Sequence, residues 1–163
     1  SQRVIHLSST MDTQSSNGTN IFIVHGSDLS AKDTVARFIG KLDLIPIILH
    51  EESNEGRTII KKLEDCSNVG FAIILLTPDD VGGTNAESLR SRARQNVILE
   101  VGFFLGKLGR KRVCALYKGD VEIPSDYSGV LYTRFDDAGA WQVNLAKEIK
   151  AAGISVDLNK IIE

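Results

Sequence analysis

Apolar and polar positions along the chain form blocks that favour strands separated by helices. Short apolar runs bounded by polar or glycine-containing turns are typical of buried strands, and they span 20–25, 45–49, 71–76, 113–117 and 129–132. Between most of these runs, apolar residues recur at the three- and four-residue spacing of amphipathic helices. The predicted helices cover about 30–42, 57–66, 94–108 and 140–152, and Ser30 is the expected cap of the first.

This order of elements predicts an α/β domain, because strands joined through helices of this length form parallel pairs with right-handed crossovers. Five strands favour a flavodoxin-like parallel sheet of order 2-1-3-4-5, with helices on both faces. Pro46 lacks a backbone N–H, so the second strand is expected at an edge or with the proline at its start. Ligands of such sheets bind beyond the carboxyl ends of the strands, which directs attention to 25–28, 50–56, 77–93 and 118–128.

Residues 1–19 lack this periodicity. The segment is polar and rich in serine and threonine, which predicts a flexible linker or tail before a domain over 20–163. The chain begins at Ser1 and its one methionine is Met11. We therefore expect a processed or excised fragment of a longer protein.

Composition adds few constraints. With 163 residues, 42% hydrophobic and 25% charged, the chain is typical of one globular domain, and its net charge of −2 gives no general attraction to nucleic acid or membranes. No apolar run reaches the 18 residues of a membrane span, and no signal peptide is evident. Cys66 and Cys114 form no CxxC motif, so we expect reduced thiols in a cytoplasmic protein.

Glu100 stands out among the polar residues because its helical neighbours, including Val97 and Phe104, are apolar. Burying a carboxylate costs several kcal/mol unless it is paired or neutral. Two interpretations stay open. A basic partner such as Arg94 or Arg112 satisfies the charge structurally, or the carboxylate faces a cleft with a shifted pKa and carries function.

Other candidates follow the predicted strands. His25, Gly26 and Ser27 either offer backbone N–H groups and a hydroxyl to a ligand or form a simple turn. Asp79 is either a polar lip of the site or the cap of a turn, and Asp126 is either a second site carboxylate or a turn residue. His25 and a histidine at position 50 share a sheet edge, but no third ligand is evident, so no metal site is expected.

Several common sites are excluded by their missing motifs. The chain has no GxxxxGK[ST] loop, no GxGxxG after the first strand and no GxSxG elbow. A phosphate-binding P-loop, a dehydrogenase-type dinucleotide site and a hydrolase nucleophile of the elbow type are therefore not expected.

Three segments resemble a known family: Ile21–Gly26, Ile73–Asp80 and, most specifically, Arg92–Phe104, which begins RARQNVILE. They are similar to the bacterial TIR-like domains of antiphage defence effectors, which are found fused to STING-like or other cyclic-nucleotide sensors in CBASS and Pycsar systems. The resemblance covers about 20–162. It implies a flavodoxin-like TIR fold and NAD⁺ glycohydrolase (NADase) activity, with NAD⁺ as substrate and no cofactor.

The resemblance also assigns roles to residues. It places the catalytic carboxylate at Glu100 and a BB-type loop at 50–56. Nicotinamide bound to ribose is already a cationic leaving group, so one carboxylate can suffice where ordinary glycosidases need two. Under this hypothesis the residues that contact substrate are His25, Gly26, Ser27, Ser53, Asn96 and Asp126.

Family members commonly become active when a sensor drives side-by-side assembly. The resemblance therefore implies self-association and a fused cyclic-nucleotide sensor that these 163 residues do not contain. The acidic loop at 51–55 and the basic runs at 90–94 and 110–112 are candidate head-to-tail contacts. Two alternatives stay open: a TIR module that only self-associates, and an N-glycosidase similar to nucleoside deoxyribosyltransferases.

Overall fold

The computed structural model describes residues 17–48, 61, 63–64, 68–124 and 129–162. Its strands and α-helices, in chain order, are β1 (Asn20–Val24), α1 (Leu29–Lys41), β2 (Ile45–Ile48), β3 (Phe71–Leu76), β4 (Asp80–Gly82), β5 (Arg90–Arg92), α2 (Gln95–Leu108), β6 (Val113–Tyr117), β7 (Leu131–Arg134) and α3 (Ala140–Ala151). Of the helix predicted over 57–66, Lys61, Leu63 and Glu64 are described, and they are helical.

Five parallel strands form the main sheet in the order β2-β1-β3-β6-β7. This is the predicted order 2-1-3-4-5 once the short strands β4 and β5, which pair only with each other, are set aside. The flavodoxin-like fold class is therefore confirmed. Pro46 lies in β2, which is an edge strand of the sheet, as its sequence predicted. A proline is tolerated there because, among the described residues, no strand pairs with the outer side of β2 to accept an N–H.

The core lies on both faces of the sheet because successive strand side chains point to opposite sides. Ile21 and Ile23 of β1 pack on one face with side chains of α1 and α3. Phe22 packs on the other face with α2, where its ring centroid lies 4.7 Å from that of Phe104. Strand β3 is buried along its whole length, as its continuous apolar run predicted.

The helix ends show where the prediction was right and where it was wrong. Helix α2 ends at Leu108, and Gly109 follows with a φ of +87°, a conformation that favours glycine. Helix α1 is capped by Asp28 and not by Ser30: the Asp28 carboxylate accepts the backbone N–H of Ala31 at 3.0 Å. An aspartate two positions earlier therefore takes the role expected of the serine.

Two further segments differ from prediction. The loop expected over 77–93 contains the antiparallel hairpin of β4 and β5, with a short 3-10 turn, Ala86–Ser88, between them. The last strand covers 131–134 and not 129–132, because Gly129 adopts a φ of +89° and forms a turn. In the part of the chain that the structure describes, no helix has both the length and the apolar character needed to cross a membrane.

Candidate active site

The carboxyl ends of β1, β3 and β6 lie at one edge of the sheet, where ligands of this fold class bind. The segments that follow these strands contact one another there. Ser27 after β1 bonds Asp79 after β3, and Lys118 after β6 bonds Asp28. These contacts define the edge cluster: Ser27, Asp28, Thr77, Asp79 and Lys118.

Glu100 lies on the inward face of α2, the helix that leaves this edge and packs against β1, β3 and β6. Its side chain is buried, with 8% of the residue exposed, as its apolar neighbours predicted. Among the described residues, Glu100 and Thr77 are the buried polar ones. A carboxylate buried on an apolar helix face has a desolvation cost that a partner or protonation must offset.

Two other residues are expected near Glu100 from the sequence. Asn96 lies one helical turn earlier, near the start of α2, and is exposed. Arg112, considered as a structural partner of Glu100, donates a hydrogen bond from Nη1 to the carbonyl oxygen of Gly70 at 2.8 Å.

The turn between β1 and α1 carries His25, Gly26 and Ser27. His25 is half-buried, and its Nδ1 lies 2.9 Å from the carbonyl oxygen of Gly26. Ser27 donates to Asp79 Oδ1 both from its backbone N–H, at 3.2 Å, and from its hydroxyl, at 2.7 Å. In this conformation the two donors of Ser27 that we expected to offer themselves to a ligand are held by a carboxylate of the same chain.

Asp79 is the centre of the edge cluster. Besides the two bonds from Ser27, its Oδ1 accepts the hydroxyl of Thr77 at 2.7 Å, and its Oδ2 accepts the backbone N–H of Arg94 at 3.4 Å. A Cβ atom on Gly26 would overlap the Asp79 carboxylate. Partial burial acts to raise the pKa of Asp79, but the hydrogen bonds from Thr77, Ser27 and Arg94 outweigh it and hold that pKa below its ordinary value. The carboxylate is therefore ionised at neutral pH.

A second bridge joins β6 to the same turn. Lys118 Nζ donates to Asp28 Oδ2 at 2.6 Å, and this bond is the main cause of a lowered pKa for Asp28. The backbone N–H of Lys118 donates to the carbonyl oxygen of Leu76 at 3.0 Å. Sequence reasoning missed both Asp28 and Lys118, although an aspartate between a buried strand and a helix is a usable signal for a cap.

The basic run at 90–94 is partly neutralised within the chain. Arg92 Nε lies 2.8 Å from Asp80 Oδ1 across the β4–β5 hairpin, and Arg90 lies 3.9 Å from Glu122. Beside this hairpin is an open pocket on the outer side of α2, lined by Arg92, Ala93, Gln95, Ile98, Leu99 and 122–124. It includes neither Glu100 nor any other residue predicted for the site.

Some predicted features lie outside the described residues. They are the loop at 50–56 with Ser53, the acidic run at 51–55, Asp126, the histidine at position 50, Cys66 and the tail over 1–16. Within the described residues, no three histidine, cysteine, aspartate or glutamate side chains are close enough to hold a metal ion. Cys114 is a free, buried thiol whose pKa burial raises to about 12.

Comparison with known proteins matches residues 20–137, from β1 through β7, to the family described as "CAP12/Pycsar effector protein, TIR domain". The matched range contains the edge cluster and α2 with Glu100. The match therefore covers both the part of the sheet edge that the structure describes and the segment that the sequence singled out.

Three relatives illustrate the range of similarity. The chain is 53% identical over 144 residues to the uncharacterized protein YuaY of Escherichia coli strain K12, covering 87% of this chain and 48% of YuaY. It is 35% identical over 138 residues to protein tirC of Dictyostelium discoideum, covering 75% of this chain and 69% of tirC. It is 42% identical over 72 residues to the Pycsar effector protein PaPycTIR of Pseudomonas aeruginosa, covering 43% of this chain and 22% of PaPycTIR. The chain thus spans about half the length of YuaY.

Proposed function

Since this chain belongs to the TIR-domain family of CAP12 and Pycsar effectors, we propose that it is an NAD⁺ glycohydrolase domain of antiphage defence. It hydrolyses the bond between nicotinamide and ribose in NAD⁺, which is its substrate. The observation that carries this proposal is the buried carboxylate of Glu100 on the inward face of α2, in a segment that matches the family.

The chemistry needs one well-placed carboxylate. When the bond from C1′ of the ribose to the nicotinamide nitrogen breaks, its electron pair neutralises the cationic pyridinium ring, so the leaving group needs no proton. The ribose then carries oxocarbenium-like positive charge, which a carboxylate in a water-poor site stabilises strongly. Glu100 accepts hydrogen bonds from the ribose hydroxyls or attacks C1′. Water then attacks C1′, displaces the Glu100 carboxylate where that bond has formed, and releases a proton, which gives ADP-ribose.

The remaining contacts come from the sheet edge. We assign His25, Gly26 and Ser27 to the nicotinamide-ribose end and Asn96 to the same pocket as Glu100, with Ser53 and Asp126 at the rim. The turn that carries the first three follows β1, and α2, which carries Asn96, starts at the same edge. The Ser27 hydroxyl can accept a hydrogen bond from the substrate while Ser27 keeps donating to Asp79.

Assembly is the proposed activation step. We propose that the domain acts in the cytoplasm, self-associates through TIR–TIR contacts and is driven to do so by a cyclic-nucleotide sensor fused to it. Two observations support this arrangement: the family is named for CAP12 and Pycsar effectors, and the chain spans only part of relatives such as PaPycTIR. The head-to-tail pairing of acidic and basic runs stays a prediction of the sequence.

The test is nicotinamide release from NAD⁺ by wild-type protein and by Glu100→Gln, each concentrated or clustered on a multivalent scaffold. We expect Glu100→Gln to lose at least about 1,000-fold in kcat, since it removes the charge facing the transition state. Glu87→Gln is the matched control, because Glu87 is an exposed carboxylate on the 86–88 turn. Its activity should equal that of the wild type.

Other outcomes separate the alternatives. Wild-type protein that assembles but releases no nicotinamide would support a module that only self-associates. Turnover of purine or pyrimidine nucleosides in place of NAD⁺ would support a deoxyribosyltransferase-like N-glycosidase. Full NAD⁺ turnover by Glu100→Gln would contradict the assignment of the catalytic carboxylate.

A further inference from the structure

Asp79 contacts two elements whose relative position matters for the proposed function. Toward one side, its Oδ1 holds Ser27 through the backbone N–H and the hydroxyl. Toward the other, its Oδ2 accepts a hydrogen bond from the backbone N–H of Arg94, which occupies the N-cap position of α2. The β1–α1 turn and the helix that carries Glu100 are thus joined through a single carboxylate.

The immediate surroundings of Asp79 fix its position. Its own backbone N–H donates to the carbonyl oxygens of Thr77, at 2.7 Å, and Arg92, at 3.0 Å, which ties it to the end of β3 and to the base of the β4–β5 hairpin. Thr77, which is buried, donates its hydroxyl to Oδ1. The absence of a side chain on Gly26 leaves the space that the carboxylate occupies.

Only an ionised carboxylate matches this set of partners. Four donors converge on its two oxygens, and a carboxylate presents only acceptors. An asparagine of the same shape would turn an NH₂ group toward at least one N–H or O–H donor. The cluster therefore depends on the chemistry of Asp79 and not only on its size.

We propose that Asp79 is a positioning residue of the active site, whose carboxylate sets the distance between the β1–α1 turn and the start of α2 and so places Glu100 relative to the groups that hold the substrate. This inference rests on the proposed NAD⁺ hydrolysis. Asp79 itself touches no reacting atom. A displacement of about 1 Å in such a site can lower the rate about 100-fold, so the effect is expected in kcat.

The first experiment measures kcat and KM for NAD⁺ in the full chain, clustered as above, for wild type, Asp79→Asn and Asp80→Asn. We expect Asp79→Asn to lower kcat by about 10- to 100-fold, with KM changed by less than about threefold. Asp80→Asn is the matched control: it removes the neighbouring exposed carboxylate, which pairs with Arg92, and should leave kcat within about twofold. Unchanged kcat in Asp79→Asn would overturn the proposal.

A second pair of variants tests the same cluster without touching the aspartate. Thr77→Val removes one donor to Asp79 at nearly constant volume, and Thr77→Ser keeps the hydroxyl. We expect Thr77→Val to lower kcat and Thr77→Ser to recover most of that loss. Equal kcat in the two variants would mean that the hydroxyl has no part in positioning, and would count against the proposal.

Amide hydrogen exchange gives a readout that needs no catalysis. We expect Asp79→Asn to speed exchange at the amides of Ser27 and Arg94 while β3 keeps its protection. Unchanged exchange at both amides would overturn the proposal even if activity fell. If the wild type releases no nicotinamide, the proposed function fails, and the exchange result alone decides whether Asp79 holds the two elements together.

Discussion

Gly26 shows at the scale of one residue how the sheet edge is built. The position is buried, and the space beside its Cα is filled by the carboxylate of Asp79. The sequence suggested a binding role for this turn because it offers backbone N–H groups and a hydroxyl to a ligand. The structure supplies a different reason for the glycine, because the absence of a side chain admits Asp79.

We therefore predict that Gly26→Ala destabilises the domain by about 1–3 kcal/mol, because the new methyl group overlaps the Asp79 carboxylate and displaces it from Ser27. Urea unfolding followed by far-UV circular dichroism measures the change. Gly40→Ala is the control: Gly40 lies within α1 with open space around it, so alanine there should stabilise by about 0.5–1 kcal/mol. Equal stability of Gly26→Ala and the wild type would contradict the packing described here.

At the scale of elements, the start of α1 is where the edge cluster meets the fold. Asp28 caps the helix through Ala31 and also accepts the Lys118 bond that reaches across from β6. The cap bond satisfies one of the backbone donors that a helix start leaves unpaired. The bridge to Lys118 is the main cause of the lowered Asp28 pKa, but it is partly exposed and screened by solvent, so it contributes about 1 kcal/mol or less. Asp28 therefore stabilises the fold through both the cap and the bridge.

Asp28→Ala should cost about 0.5–2 kcal/mol of unfolding free energy at pH 7, while Asp28→Asn, which keeps a capping oxygen, should cost less. The pKa of Asp28 is lowered in the folded state, so its charge stabilises the fold above pH 3.8 and this contribution is lost as the pH falls through the folded pKa. The difference in unfolding free energy between the wild type and Asp28→Ala should therefore become smaller as the pH falls. Thermal unfolding of both proteins from pH 7 to pH 3 measures this difference, and a larger difference at low pH would contradict the stabilising role of the Asp28 charge.

Most elements could be predicted from sequence, because their signals are local. The continuous apolar run of β3 located that strand to the residue, and Gly109 located the end of α2, which begins at Gln95 and not at Arg94. The β4–β5 hairpin escaped prediction, since its three-residue strands are polar and exposed and are joined by backbone pairing and the Arg92–Asp80 contact. Glu100 could be identified by its apolar neighbours, but three of the four donors around Asp79 belong to Ser27 and Arg94, which lie 52 and 15 residues away in the chain.

At the scale of the whole molecule, the fold places two hydrophobic layers around one sheet and leaves its carboxyl edge to polar groups. Phe22 and Phe104 fix α2 against the sheet, and Glu100 lies between Val97 and Phe104 on that same helix face. The position of the carboxylate thus depends on the core. The edge cluster then aligns the turn after β1 with the start of the helix.

If assembly completes the site, activity per molecule should depend on concentration. We predict that the specific rate of nicotinamide release rises more than about tenfold when the domain is clustered on a multivalent scaffold, because tethering raises its effective concentration to about the millimolar range. Titration of untethered Glu100→Gln domain into the clusters would show whether neighbouring domains help to complete the active site. A specific rate that is constant from dilute to clustered protein would contradict activation by assembly.

The proposal that Glu100 is the catalytic carboxylate is tested most directly by the rate of nicotinamide release from NAD⁺. The clustered wild-type domain and Glu100→Gln are measured side by side, after thermal unfolding has shown that the two proteins are equally stable. We predict turnover by the wild type and a background rate for Glu100→Gln, with Glu87→Gln as active as the wild type. Turnover that survives the loss of the Glu100 charge, or a clustered wild type that leaves NAD⁺ intact, would contradict this proposal.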